Sequence, residues 1–200
     1  MPDQRPENIP GSFYHIYNRG AHKNIIFKEP SNYFFVIDKI KQYSNQFHLS
    51  VIAYCLMPNH YHFLIRQDGK YQAGLLPQRV FNSYTKAFNK SYSHSGTLFQ
   101  GNYKIKLIQE ESYLTHLCRY IHGNPVKDGL VSNPADWIYS NYQEFVGLRN
   151  GSLFDPEFVI DYFENGKNYQ IFVLEDLLSR EIPEGIKKYL LSLDHHVSRW

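Results

Sequence analysis

The chain has 200 residues, of which 42% are hydrophobic and 20% charged, which is typical of a globular protein with a core. No stretch approaches the roughly 18 apolar residues of a membrane span, and the polar, proline-bearing residues 1–10 do not read as a signal peptide. Cys55 and Cys118 lack CxxC spacing, so we expect no disulfide framework or zinc site, and a reducing, cytoplasmic setting.

Charge is unevenly distributed along the chain. Residues 1–150 carry 16 Lys/Arg and 10 Asp/Glu, whereas residues 151–200 carry 5 and 9. Residues 69–109 contain no acid, and cations alternate there with aromatic residues. This composition fits two interpretations equally: a surface for single-stranded nucleic acid, with cations on phosphates and rings on bases, or a solvated basic face over an aromatic core.

The first half of the chain predicts a strand, a helix and a hairpin. Residues 12–18 alternate as in a strand, which Gly20 ends. A helix is predicted over 32–47, with Ser31 as its N-cap. Strands are predicted over 49–57 and 60–66, joined by turn residues at 57–59.

The second half predicts a helix over 73–91, a strand over 103–109 and a helix over 111–122. Gly123 and Pro125 are expected to end that last helix. The order is βαββαβ plus one helix, which predicts an α+β fold with a ferredoxin-like antiparallel sheet. We expect residues 134–142 to pack on this body, and a boundary near 147–151. The predicted domains are 1–150 and an acidic helical extension, 151–200, with helical pieces over 172–178 and 186–193.

His60 and His62 form the sharpest local motif. Residues two apart on a strand share a face, so the two imidazoles make a bidentate metal site; the alternative is two half-exposed histidines on a sheet. Mg²⁺ or Mn²⁺ would also want an oxygen ligand. Asn124 is one candidate, and Glu110 and Glu111 are rivals. Asn124 could instead be a helix C-cap.

Tyr120 and Asn124 lie four residues apart, so they would share one face of a helix. A tyrosine in this position could deliver its phenolic oxygen to a phosphate held at the metal, with His116 and Arg119 adding polarity or charge nearby. Taken alone, Tyr120 is one of seventeen tyrosines, and a half-buried core aromatic is the alternative.

Several motifs together resemble one family, the REP-associated tyrosine transposases, a branch of the single-tyrosine HUH transposases of bacterial insertion sequences. They are FYHIYNRG (13–20), AYCLMPNHYHFL (53–64), LFQGNYK (98–104), RYIHGNPV (119–126), and DW (136–137) with SNY (140–142). One position departs from the family pattern, which commonly has arginine where this chain has Asn102, so a phosphate contact is in doubt there.

The resemblance implies that residues 1–150 form an HUH catalytic domain. His60 and His62 would bind the divalent metal, Mg²⁺ or Mn²⁺, with Asn124 completing the site, and Tyr120 would be the nucleophile. The implied reaction is nicking and joining of single-stranded DNA through a 5′-phosphotyrosine, at hairpin-forming repetitive palindromic sequences. A metal-dependent phosphodiesterase and a non-catalytic hairpin-binding protein remain alternatives.

The acid-free segment and its neighbours supply candidate DNA contacts. The candidates are Arg19, Arg79, Lys90, Lys104 and Lys106. The family includes both monomers and homodimers, so either state is expected. We also hypothesise that the acidic segment 151–200 competes with DNA for the basic surface.

Overall fold

Four antiparallel strands form the centre of the molecule, in the order β2–β3–β1–β4. The computed structural model describes residues 6–178 and Lys188. The strands are β1 (Phe13–Arg19), β2 (Leu49–Met57), β3 (His60–Gln67) and β4 (Lys104–Ile108). The helices are α1 (Pro30–Phe47), α2 (Leu75–Ser91), α3 (Glu111–Lys127), α4 (Tyr142–Phe145), α5 (Pro156–Phe163) and α6 (Gly166–Leu178), with short 3₁₀ turns at Ala21–Lys23 and Pro134–Asp136.

The predicted α+β class and the βαββαβ order are confirmed. β1 pairs with both β3 and β4, and β2 pairs only with β3 among the named strands. The strands β1 and β3 are therefore central, and β2 and β4 are outer, as in a ferredoxin-like sheet. The β2–β3 hairpin turns at Pro58 and Asn59, as the turn residues predict.

Strand alternation assigns the side chains of β1 and β3 to two different cores. Tyr14, Ile16, Tyr61, Phe63 and Ile65 belong to the core that also contains the buried faces of α1 and α2. Tyr17 and Leu64 belong to a second core with α3, α5 and α6. The sheet is therefore covered on both faces, and a residue two positions from Tyr17 or Leu64 also lies on the α3 face.

The aromatic residues of the acid-free segment are mostly core residues. Phe81, Tyr84 and Phe88 are buried on the inner face of α2, and Tyr61 stacks on Phe81 with ring centroids 3.9 Å apart. Their spacing of three and four residues directs them to the sheet, while the cations on the same helix face solvent. The structure therefore favours a basic face over an aromatic core for this segment.

Two predicted helix ends are wrong. Helix α1 begins at Pro30, one residue before the predicted cap Ser31, because proline suits the first helical position. Helix α3 runs through Gly123 and Pro125 to Lys127. Proline removes only one backbone hydrogen bond there, and buried side chains on both sides hold the last turns in place.

Residues 137–141 run along the outer edge of β2. The Leu56 amide donates to the Tyr139 carbonyl at 3.0 Å, and the Trp137 indole N–H donates to the Leu56 carbonyl at 3.1 Å. The Asn141 side chain accepts from the Tyr54 amide at 2.8 Å and donates to the Ile52 carbonyl at 2.7 Å. The predicted packing of this segment is thus confirmed, and it covers a sheet edge.

Helices α5 and α6 contribute Phe158, Phe163, Tyr169 and Val173 to the α3-side core. The predicted helical piece at 172–178 lies in α6, and the piece at 186–193 lies outside the described residues except for Lys188. The domain division at residue 150 stays a prediction, but α5 and α6 share a core with the sheet. Cys55 and Cys118 are free and buried. Over the described residues, no helix is long and apolar enough to cross a bilayer.

Candidate active site beneath helix α3

The β2–β3 hairpin places His60 and His62 on the α3 face of the sheet. His60 pairs with Met57 across the hairpin and with Arg19 on β1, and His62 pairs with Cys55 and Tyr17. The two imidazole rings are perpendicular, with centroids 5.2 Å apart. Both side chains are buried, so the alternative of two half-exposed histidines on a sheet does not hold.

Helix α3 brings Tyr120 and Asn124 over these histidines. The Tyr120 ring meets the His62 ring edge to face, with centroids 5.4 Å apart, and Asn124 lies close enough to His60 to raise the pKa of that imidazole. The Asn124 amide also donates to the Tyr120 carbonyl at 2.9 Å, one turn earlier. The four predicted residues therefore meet at one place, and because α3 continues past Asn124, this residue is not the helix C-cap.

Burial keeps both site histidines in the neutral form. Desolvation lowers the pKa of His60 to about 4, with a smaller opposing effect of Asn124, and nearby Arg19 lowers it further. Desolvation also holds the pKa of His62 well below its usual range, helped by His60 and His15. A neutral imidazole keeps a nitrogen lone pair that can bind a metal, and such a site needs no proton to leave first.

The residues present fit a divalent metal. His62 Nε2 is buried and has no hydrogen-bond partner among the described residues, as an imidazole lone pair reserved for a metal would be. His60 and the Asn124 amide can add a second nitrogen and an oxygen. No cluster of three or more His, Cys, Asp or Glu in metal-binding geometry occurs among the described residues, so a metal here would need the amide oxygen of Asn124 besides the two histidines.

The rival ligands Glu110 and Glu111 lie at the other end of the sheet. They follow Ile108, which pairs with Phe13 at the start of β1, whereas His60 pairs with Arg19 at its end. Six residues of strand separate these positions, which is about 20 Å. Asn124 is therefore the better placed of the three candidates.

A third histidine, His15 on β1, joins the site and was missed by the sequence analysis. It is fully buried, and its Nε2 lies 3.1 Å from His62 Nδ1. The two rings are nearly parallel, with centroids 5.3 Å apart. Desolvation, with Lys106 nearby, lowers the pKa of His15 to about 3. The alternation of side chains along β1 could have predicted which face of the sheet carries His15. Only the register between β1 and β3 places His15 beside His62.

The end of α3 adds a cation beside Tyr120. The Lys127 ammonium lies 5.7 Å from the Tyr120 ring centroid and 2.9 Å from Asp176 Oδ2 on α6. Arg119 reaches the other oxygen of Asp176 at 3.2 Å and packs on Phe172, and His116 also packs on Phe172. Arg119 and His116, which the sequence suggested as polar neighbours of Tyr120, therefore face α6.

The five candidate DNA contacts divide between the two faces of the sheet. Lys104 pairs with Tyr17 and Lys106 with His15 across β1–β4, and Arg19 pairs with His60, so these three share the face of the histidines. Arg79 and Lys90 are exposed on α2, on the opposite side. Asn102, at the position that departs from the family pattern, is exposed in the loop before β4.

A cavity of about 440 Å³ opens beside the hairpin turn and the end of α3. Pro58 and Asn59 line one side, and Lys127 and Leu130 line another. Asn59 also hydrogen-bonds His60 Nδ1 at 2.7 Å. The cavity is therefore lined by a neighbour of the candidate metal ligand His60 and by the lysine next to Tyr120.

Comparison with known proteins gives a family match over most of this fold. The family described as "Transposase IS200 like" matches residues 10–124, which is more than half of the chain and includes β1 to Asn124. A Haemophilus influenzae protein assigned to the REP-associated tyrosine transposases is 32% identical over 117 residues, covering 53% of this chain and 66% of that protein.

Two further similarities are more limited. A tRNA pseudouridine synthase A of Haemophilus ducreyi is 32% identical over 87 residues, covering 40% of this chain and 33% of that protein. The chain thus spans less than two thirds of both curated relatives. The solved structure of a REP-associated tyrosine transposase bound to a REP hairpin superposes with a TM-score of 0.59 at 20% identity, covering 78% of this chain and 94% of that one. At this identity, the likeness concerns the fold.

Proposed function

The chain belongs to the IS200-like transposase family, and from this premise we propose that it nicks and rejoins single-stranded DNA at hairpin-forming repeats, with Tyr120 as nucleophile. The observation that carries the proposal is the meeting of Tyr120 with His60, His62 and Asn124 on one face of the sheet. In this proposal the reaction requires a divalent metal, follows the HUH type of chemistry and acts on DNA.

His60, His62 and Asn124 would hold the divalent cation, Mg²⁺ or Mn²⁺. Bound there, the cation would supply positive charge to a non-bridging oxygen of the scissile phosphate. The three protein ligands are neutral, so they leave the charge of the ion undiminished for that phosphate. Burial also excludes water from the histidine side of the site, which strengthens the electrostatic interaction.

Tyr120 would attack the phosphorus through its phenolic oxygen. The new bond joins that oxygen to phosphorus, the bond from phosphorus to the 3′ oxygen breaks, and the 3′ oxygen takes a proton to become a hydroxyl. A phenol has a pKa of about 10, so the phenolate is scarce at neutral pH. The Lys127 ammonium near the ring favours the negative charge that develops on Tyr120.

The same chemistry runs in reverse during joining. The 5′-phosphotyrosine keeps the energy of the phosphodiester bond, and a 3′-hydroxyl can attack it without ATP. Because phenolate is a better leaving group than an alkoxide, the covalent link suits a reversible exchange of DNA ends.

The proposed DNA is a hairpin with adjacent single-stranded nucleotides. The structurally similar transposase is bound to a REP hairpin, which supports this substrate. Arg19, Lys104 and Lys106 on the histidine face are the proposed contacts to the phosphates near the scissile bond. Arg79 and Lys90, on the other side, would contact only DNA that extends around the domain.

A denaturing gel with a labelled hairpin oligonucleotide and Mn²⁺ tests the function. The native chain should form a covalent protein–DNA adduct that survives denaturation, and Tyr120→Phe should form none. Tyr113→Phe is the matched control, since Tyr113 lies two turns earlier on the same helix and should keep the adduct. Stability of Tyr120→Phe should be close to that of the native chain.

The same gel separates the two alternatives. Cleavage by Tyr120→Phe without any adduct would indicate a metal-dependent phosphodiesterase that uses water. Hairpin binding by both the native chain and His60→Ala, with no cleavage in Mg²⁺ or Mn²⁺, would indicate a non-catalytic hairpin-binding protein. Either outcome overturns the proposed transesterification.

A further inference from the structure

His15 is the side chain that contacts the inner nitrogen of His62. Its Nε2 lies 3.1 Å from His62 Nδ1, within hydrogen-bond distance, and both rings are fully buried. The His15 ring stacks against both Tyr17 and His62, with centroid distances of 4.8 Å and 5.3 Å, so packing fixes its plane. The contact joins β1 to β3 diagonally, because His62 pairs with Tyr17 and His15 pairs with Leu64.

A hydrogen bond between two ring nitrogens contains one proton, so one histidine donates and the other accepts. If His15 donated, the proton of neutral His62 would sit on Nε2, and that nitrogen could not bind a metal. If His62 donates from Nδ1, its Nε2 keeps a free lone pair. His62 Nε2 and His15 Nδ1 are both buried without a hydrogen-bond partner among the described residues, so hydrogen bonding alone does not choose between the two arrangements. Only the second arrangement leaves His62 Nε2 able to bind the proposed metal.

Either arrangement leaves one buried N–H unpaired, and the second places it on His15. Accepting through Nε2 places the His15 proton on Nδ1, and His15 Nδ1 is also buried without a hydrogen-bond partner among the described residues. A buried donor left unpaired costs about 1–3 kcal/mol. A phenylalanine would fill the same space without this cost, so stability alone does not explain a histidine here.

We infer that His15 is a positioning residue, which accepts the Nδ1 proton of His62 and so turns the His62 Nε2 lone pair towards the metal. The inference rests on the proposed metal site. Metal-binding histidines commonly donate their other N–H to a carboxylate or carbonyl, which fixes both the tautomer and the ring plane. In this chain the neutral imidazole of His15 takes that place. It therefore orients the His62 ring without adding a negative charge beside the metal.

Nitrogen NMR of the metal-free native protein tests the tautomer directly. Long-range ¹H–¹⁵N spectra of protein with ¹⁵N-labelled histidine should show His62 protonated at Nδ1 and His15 protonated at Nδ1, with His62 assigned from the His62→Gln spectrum. A proton on His62 Nε2 would overturn the inference. This measurement needs no metal, so it stands even if the proposed metal site fails.

Mn²⁺ titration then tests the consequence for metal binding. His15→Phe should lower Mn²⁺ affinity by about 10- to 100-fold, while its metal-free melting temperature stays equal to or above that of the native chain. His15→Gln, whose side-chain oxygen can accept the His62 proton, should recover part of the affinity. His94→Gln, in the exposed loop after α2, is the matched control and should bind as the native chain does.

The outcomes separate the inference from the function on which it rests. A native chain that binds no Mn²⁺ would overturn the proposed metal site, and the NMR result would still decide the tautomer. A folded His15→Phe variant with native Mn²⁺ affinity would show that His15 only fills space. If His15→Phe does not fold, the affinity of His15→Gln decides: native-like or partly reduced affinity supports the acceptor role, and complete loss contradicts it.

Discussion

At the residue scale, Asn124 has two contacts that make a sharp prediction. Its amide donates to the Tyr120 carbonyl, and its proximity raises the pKa of His60, so it links a proposed metal ligand to the proposed nucleophile. Asn124→Ala should lower Mn²⁺ affinity by about 10-fold and nicking by about 100-fold, measured by titration and by adduct formation. Native values for both would show that Asn124 only stabilises the helix.

Asn124→Asp is the informative partner of that variant. It keeps an oxygen in place but adds a negative charge, so metal affinity should rise above that of the native chain. Nicking should still fall, because a less positive site attracts the phosphate more weakly. An Asp variant that both binds metal and nicks better than the native chain would contradict the idea that ligand neutrality matters.

Sequence spacing was sufficient to predict two pairs of these residues, and the family resemblance joined the two pairs into one site. His60 and His62 are two apart on a strand, and Tyr120 and Asn124 are four apart on a helix, so local periodicity fixes each pair. His15 and Lys127 could not be assigned in this way. Their places depend on the β1–β3 register and on how far α3 continues past Pro125, and neither is encoded in a local pattern.

At the element scale, a buried hydrogen-bonded chain joins α3, α6 and the segment after α3. His122 Nδ1 lies 2.5 Å from the Tyr169 hydroxyl, and His122 Nε2 lies 2.9 Å from Asn141 Oδ1. Because Asn141 Oδ1 accepts, His122 donates from Nε2 and accepts from Tyr169. This chain links the covered edge of β2 to the helix that holds Tyr120.

Tyr169→Phe should therefore lower the free energy of unfolding by about 1–3 kcal/mol, because it leaves the buried His122 Nδ1 without a donor. Urea unfolding measures this change. Tyr162→Phe, on the partly exposed side of α5, should change stability by no more than about 0.5 kcal/mol. Equal losses for the two variants would mean that the Tyr169 hydroxyl contributes little.

Element order was predictable because the strand and helix periods alternate clearly along the chain. The end of α3 was not, since the general rule for residues before proline was overridden by packing on α6. Gly123 is part of that packing: a Cβ at this position would lie 3.3 Å from Leu177 Cδ2, so a small residue allows the two helices to approach. A contact between residues so far apart in sequence leaves no local signal.

At the scale of the whole molecule, four buried histidines predict a loss of stability in acid. Burial lowers the pKa of His60 and His122 to about 4 and that of His15 to about 3, and it holds that of His62 well below its usual range. In the unfolded chain, all four take up protons near pH 6.5. The contribution of these histidines to the free energy of unfolding is therefore fully present above about pH 7, and it is lost as the pH falls towards 4.

For each histidine that stays neutral in the folded chain, the free energy of unfolding falls by about 2 kcal/mol between pH 7.5 and pH 5. Urea unfolding at these two pH values should show a difference of several kcal/mol in the free energy of unfolding. An equal free energy at both values would mean that these histidines are already protonated in the folded protein.

The basic residues make a second prediction at this scale. Changing Arg19, Lys104 and Lys106 together to alanine should weaken hairpin binding and reduce the slope of log affinity against log salt by about 2, as expected for three lost phosphate contacts on a single strand. Arg79→Ala/Lys90→Ala is the comparison variant. We expect a smaller effect from this pair, and the reverse ranking would place the DNA on the α2 side.

Residues 151–178 of the acidic segment pack on the body of the protein. Its acids include Asp155, which pairs with Arg66 at 2.9 Å, and Asp176, which pairs with Arg119 and Lys127. The same segment supplies Phe158 and Tyr169 to the core. The hypothesis that it competes with DNA stays a prediction, but removing residues 151–200 would also uncover the core, so single charge substitutions are the appropriate test.

The two edges of the sheet differ in a way that bears on association between molecules. Residues 137–141 occupy the outer side of β2, whereas β4 is an edge strand that carries Lys104 and Lys106. A strand edge with open backbone groups invites another chain to extend the sheet, and lysines oppose this by repulsion. The two lysines proposed to meet DNA would thus also keep copies of this protein from joining edge to edge, so an evolutionary loss of DNA binding through these positions would come with a tendency to aggregate.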